Sequence, residues 1–134
     1  MNKPWASLPN AHHIDWVLKS VKENRQLWIQ EVWGVVCSAA WSMGMDAVWS
    51  AARNAARNMA RDESHDAAHD AALEAAARTV VLALVAYDDC DQYLNMGYEK
   101  LLMYAKLSEK PQAIMLLPMV YVKEKLNDRM VTLT

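Results

Sequence analysis

The central part of this chain repeats every four residues, although an ideal α-helix completes a turn every 3.6 residues. Written in blocks of four from Trp33, it is WGVV, CSAA, WSMG, MDAV, WSAA, RNAA, RNMA, RDES, HDAA, HDAA, LEAA and ARTV. The first column changes from Trp, Cys and Met to Arg and then His, the second is mostly Ser, Asn, Asp or Glu, and the last two are mostly Ala. Alanine has the highest helix propensity and lets neighbouring helices approach closely, so the repeat predicts packed helices.

A strict repeat of four residues drifts around a helix. Four residues turn an ideal helix by about 400°, so each column moves by about 40° per repeat instead of holding one face. This excludes a coiled-coil seam, whose apolar positions recur about every 3.5 residues. An unbroken helix over residues 33–93 would be roughly 90 Å long, too long for one compact domain of this size. We therefore expect the chain to turn back between Asp62 and Asp66, where Asp62 or Ser64 caps a new helix.

The composition favours one domain made of helices. The chain has 134 residues, of which 54% are hydrophobic and 22% are charged, with 3 glycines and 4 prolines. These values favour a globular domain over disorder and leave few signals for strands or turns. We predict a single all-α domain over residues 1–134, a compact bundle of four to six helices with the Ala-rich repeat at its centre.

Signals outside the repeat place the other helices. Apolar residues at helical spacing after Asn10, an N-cap residue type, predict a first helix near residues 11–23. The apolar run VVLALVAY at residues 80–87 predicts a buried core helix, and residues 98–107 predict an amphipathic one. The last helix should kink at Pro118, because proline removes a backbone donor and clashes with the preceding turn.

Charge and targeting signals exclude several classes of partner. The net charge of −2 leaves no broad basic field to attract nucleic acid or an anionic membrane. The longest apolar run is far shorter than the roughly 20 residues of a membrane-spanning helix. Residues 1–10 carry no apolar secretory stretch, and Cys37 and Cys90 have no CxxC neighbour. We therefore expect free thiols, a cytoplasmic location, and neither a membrane partner nor direct nucleic-acid binding.

The histidines of the repeat are the clearest candidates for metal chemistry. His65 and His69 are one helical turn apart among acidic residues, and two imidazoles at that spacing can share a zinc ion. However, the glutamate of an HExxH motif is missing, and the repeat itself places similar residues at every fourth position. We favour a solvated pair with no tightly bound metal and no cofactor. Adjacent His12 and His13, before Asp15, are further candidate ligands, but they should point about 100° apart, so at most one of them would face a given site. We favour a role at the surface or in the first turn of the helix.

Three acidic residues surround one of the cysteines. Asp88, Asp89 and Asp91 flank Cys90 directly after the most apolar segment of the chain. Carboxylates at such a position are exposed or held by partners, and we favour structural anchoring over catalysis. Nearby acids raise the pKa of the Cys90 thiol, which argues against a nucleophilic role.

Charged side chains of the repeat are the predicted binding residues. Clustered carboxylates can steer association with Arg- and Lys-rich surfaces. The acidic residues are Asp62, Glu63, Asp66 and Asp70. An arginine ladder next to them is either solvated, paired with acids, or available to a phosphate or a partner's acids; it comprises Arg53, Arg57 and Arg61. The 6 tryptophans should lie mostly in the core, and their surplus together with alanine-rich faces predicts a homodimer.

Three stretches of the sequence carry a resemblance to a known group of proteins. They are AARNAARNMARDESHDAAHDAALEAAAR, ALVAYDDCDQYLNMGYEKLLMYAKL and AIMLLPMVYVKEKL. The chain resembles small Ala/Trp-rich proteins encoded by enterobacterial phages and prophages, and residues 83–126 are the most distinctive part. The resemblance implies an accessory phage gene, a class that includes small helical inhibitors of host defence such as anti-CRISPR proteins. It carries over no catalytic residues.

Two hypotheses about function follow. The first is a non-enzymatic, phage-encoded counter-defence inhibitor, such as an anti-CRISPR, that binds and blocks a host protein complex or sequesters a signalling ligand. The second is a small metal-dependent hydrolase that uses His65 and His69. We favour the first, because the sequence shows no nucleophile, phosphate-binding loop or complete set of metal ligands, and a chain without reaction chemistry acts by occupancy.

Overall fold

The computed structural model describes residues 3–42, 44, 46–108 and 110–133, with side chains except at positions 33, 40, 46 and 129–133. This part of the chain forms nine α-helices and one π-helical segment, and it contains no strand. The elements are α1 (Ala11–Glu23), the π-helical segment (Leu27–Val32), α2 (Trp33–Ser42), α3 (Asp46–Met59), α4 (Asp62–Ala71), α5 (Ala75–Ala86), α6 (Asp91–Leu94), α7 (Tyr98–Ser108), α8 (Pro111–Met115) and α9 (Leu117–Leu133).

The predicted all-α class is confirmed, but there are more helices than the four to six expected. Two of the additional helices are very short, since α6 has 4 residues and α8 has 5. The others arise because the repeat region is divided into more pieces than the sequence indicated. The architecture is a compact bundle of short helices.

Helix α5 is the centre of the bundle. Its residues 79–86 are all buried, and it packs against α1, α3, α4, α8, α9 and the π-helical segment. A helix that is apolar on all sides needs neighbours on all sides, and each fully buried Val or Leu contributes about 1.5–3 kcal/mol. The prediction of a buried core helix at residues 80–87 is confirmed. Neither α5 nor any other described helix combines the length and the apolar character needed to cross a membrane.

The break inside the repeat lies slightly earlier than predicted. Helix α3 ends at Met59 and α4 begins at Asp62, so the chain leaves the helix at residues 60–61 instead of between Asp62 and Asp66. Arg61 takes the N-cap position with an extended backbone (φ −79°, ψ 109°) and makes no side-chain cap hydrogen bond. The expectation that Asp62 or Ser64 would cap the new helix is wrong. The physical reason is that the guanidinium of Arg61 is bonded to the end of α5, which fixes the break there.

A second break, which the sequence did not indicate, separates α4 from α5. Ala72 is the C-cap of α4 in an extended conformation, and α5 begins three residues later at Ala75. Arg78 donates from Nε to the carbonyl oxygen of Ala72 at 2.7 Å, so a side chain of α5 satisfies a backbone acceptor at the end of α4. Free carbonyls at a helix C-terminus require such a partner.

With these breaks, two columns of the repeat keep a nearly constant environment in the bundle. The fourth column faces the core, with buried side chains at Val36, Ala52, Ala56, Ala68, Ala72, Ala76 and Val80. The described side chains of the second column from Ser38 to Asp70 are exposed. The longest helix of the repeat, α3, has 14 residues. A drift of about 40° per repeat therefore accumulates to only about 120° before a break restarts it, and the expected winding of the columns around one helix does not occur.

The start of α1 is bound to the end of α5. Helix α1 has the predicted bounds, and Asn10 is at its N-cap, but the side chain makes no cap hydrogen bond. Its Nδ2 instead donates to the carbonyl oxygens of Leu84 at 3.0 Å and Tyr87 at 2.6 Å. Because Asn10 is buried, these two bonds hold the amino end of the chain against the core helix.

The carboxyl-terminal part is divided near the predicted proline kink. The chain leaves the helix at Leu116 between α8 and α9, and Pro118 is the second residue of α9. Proline has no backbone N–H and is well tolerated in a first helical turn, so the break accommodates it. The structure places a one-residue interruption at Leu116, two residues before the predicted kink at Pro118, and α7 agrees with the predicted helix at residues 98–107.

The described tryptophans lie mostly in or against the core, as predicted. Trp5 and Trp28 are buried, and Trp16 and Trp49 pack partly buried against them and their neighbours. Trp41 is the exception, since 71% of it is exposed. The side chain of Trp33 lies outside the described residues.

Candidate functional site

The four predicted acidic residues lie together on one exposed side of α4, here called the acidic face: Asp62, Glu63, Asp66 and Asp70. Asp62, Asp66 and Asp70 follow one another at intervals of four residues, so they form a stripe along the helix. Asp62 and Glu63 occupy the first turn, where the helix dipole favours negative charge. Among the described contacts, Asp66 alone of the four has an ion-pair partner, with its Oδ1 3.3 Å from His65 Nδ1.

One exposed apolar side chain precedes the acidic face in the chain, and another follows it. Met59, the last residue of α3, is 57% exposed, and Leu73, just after α4, is 67% exposed. Leu73 also lines a surface groove of about 290 Å³ together with Leu18 and Val21 of α1. Carboxylates next to exposed apolar groups are the combination expected of a protein-binding surface with a charged rim.

The arginine ladder does not form one surface. Arg57 is exposed, whereas Arg53 is half-buried, and its buried Nε has no hydrogen-bond partner among the described residues. Arg61 donates from Nη1 to the carbonyl oxygen of Val85 at 2.6 Å and from Nη2 to Asp88 at 3.2 Å. Arg61 therefore has a structural role at the break between α3 and α4, and Arg57 is the member most available to a partner.

The rings of His65 and His69 lie close together, and no described residue adds a third ligand atom near both of them. Their ring centroids are 5.0 Å apart. His65 Nε2 is buried without a hydrogen-bond partner among the described residues. The pKa of His69 is lowered, first by burial and then by His65, Arg78 and Arg57. In the described part of the chain, the one group of three potential ligands with mutually close atoms lies elsewhere.

The three acids around Cys90 each hold a different part of the fold, in agreement with the anchoring interpretation. Asp88 accepts from Arg61, at the break between α3 and α4. Asp89 accepts from Gln112 Nε2 in α8 at 2.9 Å. Asp91 Oδ1 lies 2.5 Å from Nε2 of His13 in α1. Residues 88–91, from the end of α5 to the first residue of α6, therefore form a junction that is bonded to α1, to α8 and to the break between α3 and α4.

Cys90 is fully buried beneath these acids. Burial raises the pKa of its thiol to about 12, and the charges of Asp89, Asp91 and Asp88 add to the effect. Its Sγ lies 3.4 Å from the carbonyl oxygen of Tyr87, to which the thiol donates. A protonated, buried thiol is a poor nucleophile. The sequence predicted that the nearby charges raise the pKa of Cys90, but burial of the thiol is the larger cause of this rise.

A histidine and aspartate cluster was missed by sequence reasoning. The rings of His12 and His13 are not directed apart, since their centroids are 3.9 Å from each other. One nitrogen from each and one oxygen of Asp91 all lie within 4.8 Å of one another. The expectation that at most one of the two histidines would face a given site is wrong, because side-chain rotation at the exposed first turn of α1 offsets the 100° between their Cα–Cβ directions. The aspartate is 78 positions away in the sequence, so local spacing gave no signal.

Comparison of the chain with protein-family models, curated proteins and solved structures gave no match.

Proposed function

We propose that this chain is a non-enzymatic, phage-encoded binding protein that uses the acidic face to bind and block a host protein complex, in the manner of an anti-CRISPR inhibitor. The observation that carries this proposal is the arrangement of α4. Its four carboxylates are directed to solvent, and one exposed apolar side chain precedes the helix while another follows it. The phage origin rests on the sequence resemblance alone.

The chemistry of the acidic face favours a basic partner. Charges of one sign on one helix side produce a local field that accelerates association with an Arg- and Lys-rich surface. Defence complexes that handle nucleic acid carry such surfaces, because they bind phosphates with Lys and Arg. An inhibitor that covers them would compete with the nucleic acid and would act stoichiometrically, without turnover. A small anionic signalling ligand is a poorer fit to the same carboxylates.

The side of α4 opposite the acidic face packs on the bundle, so the acidic face stays exposed to solvent. Ala68 and Ala72 are buried against the bundle, and the small side chains let α4 pack closely on α5. The fold therefore uses the alanines of α4 and leaves its carboxylates directed outward. The hydrolase alternative has less support, because no described side chain places a ligand atom close to ligand atoms of both His65 and His69.

A homodimer belongs to the same proposal. Trp41 is 71% exposed and Val35, also on α2, is 43% exposed, so this helix presents apolar surface that a second copy would bury. Light scattering should give twice the monomer mass at micromolar concentration. Trp41→Ser should restore the monomer while leaving the circular dichroism spectrum unchanged, and a wild-type protein that is monomeric at high micromolar concentration would refute the dimer.

Charge reversal tests the binding surface. Replacing all four residues of the acidic face by lysine should abolish capture of the partner from a bacterial lysate, because attraction becomes repulsion. Helicity should change little, since the four side chains are exposed, and stability should fall only by the helix-dipole interactions of Asp62 and Glu63, about 0.3–1 kcal/mol each. Capture by the wild-type protein should also weaken as salt is raised from about 0.05 to 0.5 M.

A matched pair of double variants controls for net charge. Asp66→Lys with Asp70→Lys changes the charge by as much as Glu23→Lys with Glu99→Lys, and the latter two residues are exposed on α1 and α7. The first pair should weaken capture strongly and the second should not. Equal loss in both pairs would show a non-specific effect of charge, and full-strength capture by the fourfold variant would refute the proposal.

A further inference from the structure

We infer that His12, His13 and Asp91 form a binding site for a divalent transition-metal ion such as Zn²⁺. The ion would connect the first turn of α1 to the first residue of α6. This inference goes beyond the proposed binding function and does not depend on it, because the acidic face lies on a different helix.

The distances are close to those that a zinc ion requires. One atom of each side chain lies within 4.8 Å of the other two, and His13 Nε2 is 2.5 Å from Asp91 Oδ1. Bonds of about 2.0–2.1 Å in a tetrahedral arrangement place ligand atoms about 3.4 Å apart. Binding therefore asks the His13–Asp91 pair to open by about 0.9 Å and the widest separation to close by at most about 1.4 Å, displacements that side-chain rotation supplies.

One ligand is fixed and two are free to adjust. The side chain of His13 is only 13% exposed, so its ring is held by its neighbours, whereas that of Asp91 is 73% exposed and His12 is exposed. The backbones that carry them are already held together, since Asn10 donates to the carbonyl oxygen of Tyr87 near the junction. The chain therefore has little backbone entropy to lose when the ion binds.

The donor set selects the class of ion. Two imidazole nitrogens and one carboxylate oxygen suit Zn²⁺ and its neighbours Ni²⁺ and Cu²⁺, whereas Mg²⁺ and Ca²⁺ prefer oxygen ligands alone. Three protein ligands leave one position of a tetrahedral ion for water. The site thus matches the open type of zinc centre, in which the protein fills only part of the coordination sphere.

Zinc titration of the untagged, chelator-treated full chain tests the inference. Isothermal titration calorimetry should show one Zn²⁺ bound per chain. At free Zn²⁺ about ten times Kd, the melting temperature should rise by about 5 °C, because the ion binds only the folded arrangement of the three ligands. Mg²⁺ at the same concentration should give no rise.

Three variants identify the ligands. His12→Gln removes an exposed ligand without a core contact and should weaken zinc affinity about ten-fold or more, and Asp91→Asn should act similarly. The control is His65→Gln with His69→Gln, which removes the other histidine pair and should leave both affinity and stoichiometry unchanged.

Three results of these experiments would overturn the inference. Unchanged affinity in His12→Gln would overturn the inference, and so would loss of zinc binding in the His65→Gln, His69→Gln control. Absence of any heat or thermal shift up to millimolar Zn²⁺ would also overturn it. Circular dichroism on every variant ensures that a lost site is not mistaken for a lost fold.

Discussion

Replacing Asn10 distinguishes a helix cap from a connection between two distant helices. The residue type and position before α1 indicate an N-cap, but the buried amide of Asn10 donates to two carbonyl oxygens at the end of α5. If Asn10 were only a cap, alanine would cost about 1 kcal/mol and aspartate, an equally good cap, would cost almost nothing. The observed contacts predict instead that aspartate lowers the stability more than alanine does.

The magnitude follows from the two hydrogen bonds. Asn10→Ala removes both donors, which leaves the carbonyl of Leu84 without this partner and that of Tyr87 with only the weak thiol donor of Cys90. A buried acceptor that is left unsatisfied costs about 1–3 kcal/mol. Allowing for partial relaxation, the free energy of unfolding should fall by about 2–4 kcal/mol. Asn10→Asp places a carboxylate against the same oxygens. The loss of stability in this variant should therefore be larger than that in Asn10→Ala by at least about 1 kcal/mol.

Urea unfolding followed by circular dichroism measures these differences. The slope of free energy against urea should stay constant while the midpoint falls, since the change is in stability and not in compactness. The difference between Asn10→Asp and the wild type should narrow at acid pH, because burial raises the pKa of a carboxyl group and the protonated form can donate one bond. An aspartate variant within about 0.5 kcal/mol of the wild type would refute the connection and restore the cap interpretation.

Three other predictions concern single side chains. Arg61→Ala should lower the free energy of unfolding by about 1–2 kcal/mol in urea, because it loses a 2.6 Å bond to a backbone carbonyl of α5, whereas Arg57→Ala, at the equivalent position one repeat earlier, should change it by less than about 0.5 kcal/mol. Because the pKa of His69 is lowered from 6.5, the unfolded chain takes up a proton that the folded chain resists, so stability should fall as pH drops below 6.5, and His69→Gln should flatten this dependence. In a Cys37→Ser background, the Cys90 thiol, with its pKa raised to about 12, should react with a disulfide reagent at pH 8 only as fast as the protein unfolds, and rapid reaction of the native protein would contradict its burial.

Elements with local signals could be predicted from the sequence. The bounds of α1 and α7 follow from apolar spacing between helix-breaking residues, and the burial of α5 follows from a run that is apolar on all sides. These features depend on residues near one another in the chain. Local patterns are therefore enough to find them.

The phase of the repeat could not be predicted in the same way. The length and polarity of the repeat indicate a break near the one at residues 60–61, but nothing in the local pattern indicates the second break at residues 72–74 or the way that both restart the helix. Both breaks are bonded to α5, the first by Arg61 to the carbonyl oxygen of Val85 and the second by Arg78 to that of Ala72. A repeat of four can keep one column buried only when such breaks interrupt it, and their positions depend on tertiary contacts.

The candidate sites, too, could be predicted only where their residues are close together in the sequence. His65 and His69 are conspicuous in sequence because they are one turn apart, yet the described cluster with three close ligand atoms joins α1 to α6. Its aspartate comes from the junction after α5, which also binds the break after α3 and helix α8 through neighbouring carboxylates. Only the packing of α1 on α5 brings the histidines to that junction.

The acidic residues divide into those that are bonded to other elements and those that are not. Asp88, Asp89 and Asp91 each accept a hydrogen bond or pair with a residue of another element. Among the described contacts, no hydrogen bond or ion pair holds Asp62 or Glu63. Substitutions at the junction should therefore lower stability, whereas substitutions on the acidic face should change binding at nearly constant stability. Asp66 and Asp70 give the clearest separation, because Asp62 and Glu63 lie in the first turn of α4, where the helix dipole favours negative charge and their replacement would itself lower stability.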